Sequence, residues 1–434
     1  MSHTGMAEAG AGERASDDDF FAAFEFAFPV YEMAKLRHKA LHDRSDPAWT
    51  GLDVYWHQET LATADDRWVT TPNIDTLYSV AWVDLAQGPV RLTIPPSEGR
   101  YVNLALLDVY TNNFACLSQR DVGSGGADLL LVGPTWPGPL PADQKVIRAP
   151  FDDVMLFART LVDDDADLPA ARRVQHGFRA AALAAHEPEA MTPALMRSDD
   201  AGRDFVALVA AALCRNPPPP YESDHLALLE RVGLSGSASA QQIERWSALL
   251  PGFLARIRES ARSVNVPIDQ WTYSARNLGD FGTSYRLRAL TALRGLLALP
   301  ASEAVYLGTE FDADDRALHG ENLYCLDLPD EGVPADAFWS LTLYEKMPSG
   351  ASFLAHNPLN RYAFTDRNST LRVVDGRIPV WVSHRRPPAA LESNWLPAPP
   401  APFRLALRAY HPHPDLLAGR FRMKPVVKME SFES

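Results

Sequence analysis

The sequence predicts a mainly β protein with a helical insert: a β-sandwich over residues 51–165, a helical domain over 166–300, and a jelly roll or related sandwich over 301–434. Three observations predict it. Short apolar–polar alternations recur at regular spacing in the first and last thirds. The hydrophobic period turns helical from Leu168 to Leu299. The 35 prolines outnumber the 25 glycines, which suits many short elements joined by stiff loops.

Residues 1–19 are small and charged, and are expected to be a disordered tail. A helix within 20–50 starts at Phe20 with Asp18 or Asp19 as its cap and turns Phe20, Phe24, Phe28, Tyr31, Met33 and Leu36 inward. Pro29 is expected to kink or divide it. His38 and His42 stand at helical spacing near its basic end and are read as surface residues. Strands over Tyr78–Trp82, Val90–Ile94 and Tyr101–Leu107 are separated by turn signals, which predicts an antiparallel meander. Further strands are expected at Asp128–Val132, Val146–Ala149 and Val154–Thr160. Helices are expected at Leu168–Ala185, Ala201–Cys214, Asp224–Val232, Ala240–Ser260 and Ser284–Leu299. The last third returns to strands at Glu303–Leu307, Asn322–Leu326, Ala337–Tyr344, Arg361–Phe364, Leu371–Val374, Val380–Ser383 and Phe403–Tyr410.

A formal charge of -14 with no basic run argues against nucleic acid or anionic membrane as a partner. No stretch is long and apolar enough to span a bilayer, and no secretory leader is read, so cytoplasmic residence is expected. Cys116, Cys214 and Cys325 are far apart and match no metal-ligand spacing, so neither a disulfide framework nor a zinc site is expected. The aspartate runs at Asp163, Asp164, Asp165, Asp167 and at Asp312, Asp314, Asp315 lack the glycine and glutamate of a calcium hand. His411 and His413 sit between prolines and are read as an exposed loop. No metal and no cofactor is expected.

The stretch from Trp68 to Asn113 sets Asn73, Asp75, Tyr78, Asn103, Asp108, Tyr110, Asn112 and Asn113 into a β-core, where each needs a partner. Asp75 and Asp108 are candidate proton-transfer carboxylates, because burial raises a carboxyl pKa toward neutrality. Tyr78 and Tyr110 are candidate donors to developing charge. The alternative is a hydrogen-bonded plug in which the same groups hold turns. A second set follows downstream: Trp339, Thr342, Tyr344, His356, Asn357, Asn360, Arg361, Asn394, Trp395 and Arg408. Within it, Arg361 or Arg408 is suited to a substrate carboxylate or phosphate.

The motifs TPNIDTLYSVAWVDLAQGPVRLTIP, GRYVNLALLDVYTNNFA and LVGPTWPG resemble bacterial proteins carrying the domain of unknown function 1254. GDFGTSYRLRAL, AFWSLTLYE, HNPLNRYAF, NWLPAP and FRLALRAYHP resemble the partner domain of unknown function 1214. The resemblance runs from Val30 to Pro425. It implies an N-terminal sandwich of immunoglobulin-like appearance, a small helical domain and a C-terminal jelly roll, and it supplies no activity. Many relatives are exported, whereas no leader is read here. Leu117–Arg120 and the basic His384, Arg385 and Arg386 depart from the usual pattern.

The leading expectation is a cofactor-independent enzyme acting on a small organic molecule by general acid/base chemistry, in a pocket walled by the first and last domains. Asp75, Asp108, Tyr78 and Tyr110 would be catalytic; Asn73, Asn103, Asn113, Trp339, Tyr344, Arg361 and Trp395 would bind substrate. A non-catalytic carbohydrate or polyol binding module is the alternative from another class. Magnesium-dependent diphosphate chemistry and a homodimer built on an exposed sheet face are the remaining readings.

Overall fold

The computed structural model describes residues 15–67, 70–142, 144–184, 200–219, 222–264 and 267–432. Trp68 and most of the expected tail lie outside them. Strand accounts for about 29% and helix for about 27%, so the architecture is mixed, with more helix than a mainly β chain.

The first region contains α1 (Asp17–Leu41), β1 (Trp56–His57), β2 (Thr76–Asp84), β3 (Val90–Ile94), β4 (Val102–Leu107), β5 (Asn113–Ser118), α2 (Gln119–Val122), β6 (Ala127–Val132), β7 (Lys145–Arg148), β8 (Asp153–Leu161), α3 (Leu168–Gln175) and β9 (Arg179–Ala182). Helices α4 (Ala201–Arg215), α5 (Ser223–Arg231) and α6 (Ala240–Val264) follow. Then come β10 (Pro267–Ile268), β11 (Trp271–Tyr273), α7 (Tyr285–Arg294), β12 (Ala304–Thr309), β13 (Leu323–Pro329), β14 (Ala335–Lys346), β15 (Ser352–Phe353), β16 (Ala363–Thr365), β17 (Arg377–Ser383), β18 (Trp395–Pro397), β19 (Phe403–Pro412), α8 (Pro414–Leu417) and β20 (Val427–Met429).

These strands form four sheets. The first has the order β1-β2-β8-β4-β5, the second β7-β6-β3-β9, the third β10-β11-β12-β19-β14-β15 with β16 also on β14, and the fourth β18-β17-β13-β20. The expected meander is not what forms. Strand β8 lies between β2 and β4, while β3 pairs with β6 and β9 in the other sheet. The reason lies in the alternation: Val90, Leu92 and Ile94 of β3 face Ala81, Val83, Leu104, Leu106 and Leu156 across one apolar core, so consecutive strands cross from sheet to sheet. A second core joins the third and fourth sheets through residues such as Leu341, Leu405, Leu326 and Val380. Between these two units, the outer face of the first sheet packs on the outer face of the third, through Trp82, Tyr101, Phe157, Phe338 and Tyr410. The stacking order is therefore second, first, third, fourth.

Beside the stack, α1, α4, α5, α6 and α7 bury a common aromatic core that includes Phe20, Phe24, Phe26, Phe205, Trp246 and Phe253. Helix α1 begins earlier than expected, because Ser16 caps it in a reciprocal capping box with Asp19, placing Asp17–Asp19 inside the first turn. Its helical assignment continues unbroken through Pro29, and His38 is buried rather than on the surface. Two other expectations change. The helix expected over Leu168–Ala185 ends at Gln175, and Arg179–Ala182 becomes an edge strand on β3. Leu371–Val374 forms no strand, only an isolated bridge from Val374 to Arg377. Among the described residues the three cysteines are free, and no helix is long and apolar enough to cross a membrane.

The helical unit is fastened to the first sheet by one buried charged cluster. Asp153 accepts from Arg37 at 2.9 Å, from Arg215 at 2.7 and 2.9 Å, and from Asn216 at 2.8 Å. Burial alone would raise the Asp153 carboxyl, but Arg215 and Arg37 outweigh it and hold the pKa below the ordinary value. The stabilisation is therefore present above the ordinary carboxylate range and lost as pH falls through the depressed value. Asp153→Ala removes the acid shared by Arg37 and Arg215, leaving Asp84 at 3.1 Å from Arg215, and should lower the unfolding free energy in urea by about 3–5 kcal/mol. Asp17→Ala, which breaks a pair between exposed side chains, should change it by less than about 1 kcal/mol. Equal effects of the two variants would contradict this view of the cluster.

Candidate functional site

The two expected catalytic carboxylates are not neighbours. Asp75 sits where its carbonyl accepts from Val162, just past one end of β8, whereas Asp108 follows Leu107, which pairs with Met155 near the other end. Seven residues of extended chain separate these positions, roughly 20 Å. Both carboxylates are sealed and committed. Asp75 is 1% exposed and takes hydrogen bonds from Ser340 Oγ at 2.6 Å and Arg367 Nη2 at 2.8 Å. Asp108 accepts from the backbone N–H groups of Tyr110 and Asn112, each at 2.9 Å, and from the Asn112 amide at 3.1 Å. The Tyr110 hydroxyl donates to Asn216 O at 2.7 Å inside the helical core. For Asp75, Asp108 and Tyr110 the geometry matches the hydrogen-bonded plug.

Most of the expected binding residues are braces. Asn113 donates to Gly279 O and Ala298 O, tying β5 to the segments around α7. Asn103 donates to Cys116 Sγ at 3.0 Å and Glu303 Oε1 at 3.3 Å. Trp339 packs into the core on the far side of the third sheet. Arg361 donates to Glu392 O at 2.7 Å and Trp395 O at 2.9 Å, holding the NWLPAP turn, and Trp395 donates to Ser383 O at 3.0 Å. These side chains satisfy backbone carbonyls that would otherwise be buried without donors. His411, expected in an exposed loop, is buried in β19, and its Nε2 lies 3.0 Å from Ser118 Oγ and 3.1 Å from Glu303 Oε1. One nitrogen serves both contacts, so these three residues do not form a catalytic triad, in which the two ring nitrogens divide the roles. Glu303 also accepts from Tyr101 at 2.7 Å and Arg120 at 2.7 Å.

The residues that do converge are Tyr78, Asn73, Tyr344 and Arg408, joined by three that sequence reasoning missed: Arg159, Tyr306 and Tyr410. Strand register assembles them in two rows. On the first sheet Tyr78, Arg159 and Asn103 are direct cross-strand partners, and on the third sheet Tyr306, Arg408 and Ser340 are. The rows lie on the two packed outer faces, so they meet in the layer between the sheets. Tyr78, Val80, Tyr306, Gly308, Arg404 and Ala406 on these faces are only partly buried, marking a cleft there.

Its electrostatics are one-sided. Arg159 is 4% exposed, donates through Nη2 to Leu297 O at 2.9 Å, and stacks over Phe157 with its guanidinium carbon 4.1 Å from the ring centre. Its Nε and Nη1 have no hydrogen-bond partner among the described residues. Arg408, 8% exposed, donates to Tyr344 Oη at 2.8 Å and Thr71 O at 2.9 Å. Neither arginine meets a carboxylate among the described residues. Gly308 leaves room beside the Arg404 guanidinium, since a Cβ there would lie 2.7 Å from Nη2. Burial pushes the phenols of Tyr78, Tyr306 and Tyr410 above their ordinary range, against the lowering influence of Arg159 and Arg408, so all three keep their protons at neutral pH. Tyr306 and Tyr410 accept from Leu299 N and Asn73 Nδ2, and none of the three hydroxyls donates to a described residue. The cleft is rich in donors and poor in acceptors.

Backbone strain sits at both anchors. Thr71 and Leu297, whose carbonyls hold Arg408 and Arg159, have φ of 49° and 67°. A β-branched threonine in the left-handed region is a genuine outlier, costing on the order of 1–3 kcal/mol.

Paired sheets stacked on one another, with a cationic, tyrosine-lined cleft at the joint of the first and third, define the architecture. By its motifs the chain belongs to the family that combines two proteins of unknown function: DUF1254, matched over residues 52–182, and DUF1214, matched over residues 303–414. The first match contains Tyr78 and Arg159, the second Tyr306, Arg408 and Tyr410, so both walls of the cleft fall within the family's own segments. No curated protein matches. The chain is similar in fold to the VPA0106 protein from Vibrio parahaemolyticus, with a TM-score of 0.71 and 22% identity, over 96% of this chain and 100% of that one. A second similar structure, an uncharacterized protein from Burkholderia cenocepacia, has a TM-score of 0.47 and 15% identity over 95% and 91% of the two chains.

Burial pushes the Asp108 carboxyl from its ordinary 3.8 up to about 6, against the hydrogen bonds of Asn112 and the charge of Arg288. A raised folded-state value means that its stabilising contribution is full below the unfolded pKa and is lost as pH rises through about 6. Carbon-detected NMR should show this carboxyl titrating near 6, and Asp108→Asn should remove that part of the pH dependence of stability. A midpoint at or below its ordinary 3.8 would contradict the buried setting described.

Proposed function

We propose that the chain acts on a small organic anion held between Arg159 and Arg408, with the phenol of Tyr78 as the proton donor at the bound molecule. The observation that carries this reading is a pair of buried guanidiniums that meet no carboxylate among the described residues. Leaving such a charge uncompensated in a protein interior is costly, and the usual remedies are a paired acid or a bound anion. Here the nearby acids have their own cations: Asp75 has Arg367, Glu303 has Arg120, and Glu310 has Lys346. Arginine forks suit carboxylate or phosphate oxygens, and three phenols with free protons add donors to the same space.

General acid/base chemistry is supported by the setting of Tyr78. It is half-buried, makes no side-chain hydrogen bond to a described residue, and lies across the strand pair from Arg159, whose guanidinium carbon is 5.7 Å from its ring centre. A phenol beside fixed positive charge can give a proton and tolerate the phenolate that results. This moves the catalytic role from Asp75 and Asp108 to the tyrosines while keeping the expected reaction class. A carbohydrate or polyol module fits less well, because sugar hydroxyls call for acceptors as well as donors. Magnesium–diphosphate chemistry is also disfavoured: Asp167 is forked by Arg100 at 2.7 and 3.1 Å, and Asp312 holds backbone N–H groups of its own turn. On the fold, the first and second sheets enclosing one core support an immunoglobulin-like sandwich, and the third and fourth support a jelly roll.

Thermal denaturation of the full chain should rise in the presence of small carboxylates or phosphate esters and be unmoved by neutral polyols. Arg159→Met should abolish the anion response while the protein stays folded. Tyr78→Phe should keep the anion response and, once a substrate is in hand, lower kcat by about 10²-fold or more with little change in KM. Stabilisation by polyols alone would overturn the reading.

A further inference from the structure

The charge count of the cleft specifies its occupant further. On the anion-binding reading proposed above, we infer that the ligand carries two negative charges on two separate groups, as a dicarboxylate does, rather than one charged head.

The count rests on which cations lack counterions. Three arginines line this layer: Arg404 shares the field of Glu310 with Lys346, while Arg159 and Arg408 bring two further positive charges and form no ion pair with an acid among the described residues. A monoanion would leave one of them uncompensated; a dianion balances both. Separation of the two charges follows from how the guanidiniums are held. Arg159 projects from β8 of the first sheet and is tied to Leu297 O, in the connection between α7 and β12. Arg408 projects from β19 of the third sheet and is tied to Thr71 O, in the segment leading into β2, and to the Tyr344 hydroxyl of β14. The two anchors come from opposite walls and are fixed by different loops, each at a residue with positive φ. Each cation thus projects from its own wall and is fixed by its own loop, so each presents a separate fork to the ligand. Between them the wall is aromatic: Tyr78 and Phe157 meet edge to face with centroids 4.9 Å apart, and Phe338 stacks on Tyr410 at 4.2 Å. That surface accommodates a short apolar or unsaturated spacer.

The test is calorimetric titration of the full-length protein with succinate and adipate, each against the monocarboxylate of equal length, butyrate or hexanoate, and with butyl phosphate as a doubly charged single head. The best dicarboxylate should bind at least about tenfold more tightly than its monocarboxylate. That ratio should fall to near one in Arg159→Gln, with a thermal melt confirming the fold of the variant. Because Arg408 also holds Thr71 and Tyr344, Arg408→Lys serves as the second variant, retaining a charge but losing the fork. Equal binding of mono- and dicarboxylates overturns the two-charge inference and leaves the anion reading standing. Tighter binding of butyl phosphate than of either dicarboxylate overturns the separation of the charges. Binding of none of these anions overturns both.

Discussion

Two arginines in a layer that ought to be apolar are the constraint around which the rest of this molecule is arranged. Arg159 and Arg408 stand opposite aromatic rings at the joint of the first and third sheets, in a setting where an unpaired charge weakens the fold. What keeps them there is local: each guanidinium has a backbone carbonyl from a residue with left-handed φ. The chain thus accepts strain at two loop positions to aim two cations at one space. Strain of that kind, together with polar atoms lacking partners, concentrates where a protein binds or reacts.

The surrounding architecture serves the same end by being rigid. Each of the two outer sheets shares a dry core with its inner neighbour, so the inner faces can carry polar rows without the stack losing its apolar burial. The Glu303 network with His411, Tyr101 and Arg120 pins one edge of the joint, and the Asp75–Arg367–Ser340 contact pins another. The helical unit touches the stack through Arg37, Arg215 and Asp153 and through the aromatic core around Tyr110. It braces the far end of β8 from Arg159, while the connection after α7 reaches the cleft through Leu297 and Leu299.

The strands and long helices were legible because alternation and helical period report which faces are buried; β3, β13 and α6 lie close to where those patterns place them. Pairing was not legible. Nothing local in TLYSVAWVD or VNLALL says that DVMLFARTL, some fifty residues later, will insert between them. Of the site, Tyr78, Asn73, Tyr344 and Arg408 were visible as polar residues within apolar runs. Arg159 is legible in the same way, as the single arginine of the nine-residue buried strand β8, but only its cross-strand pairing with Tyr78 gives it a place in the site. Asp75 and Asp108 misled for a physical reason: a buried acid and a buried turn-holding aspartate look alike until their partners are known. Tyr306 and Tyr410 acquire meaning only through register, which places Tyr306 directly beside Arg408.

The account is tested most directly by a crystal of the full-length protein soaked in a heavy anion such as bromide or selenate, with anomalous data collected to locate it. The account predicts a strong peak within hydrogen-bonding distance of Nε and Nη1 of Arg159, which have no partner among the described residues, and within reach of the Tyr78 hydroxyl. A protein carboxylate closing on Arg159 in its place, with the anion found only on the outer surface, would contradict it.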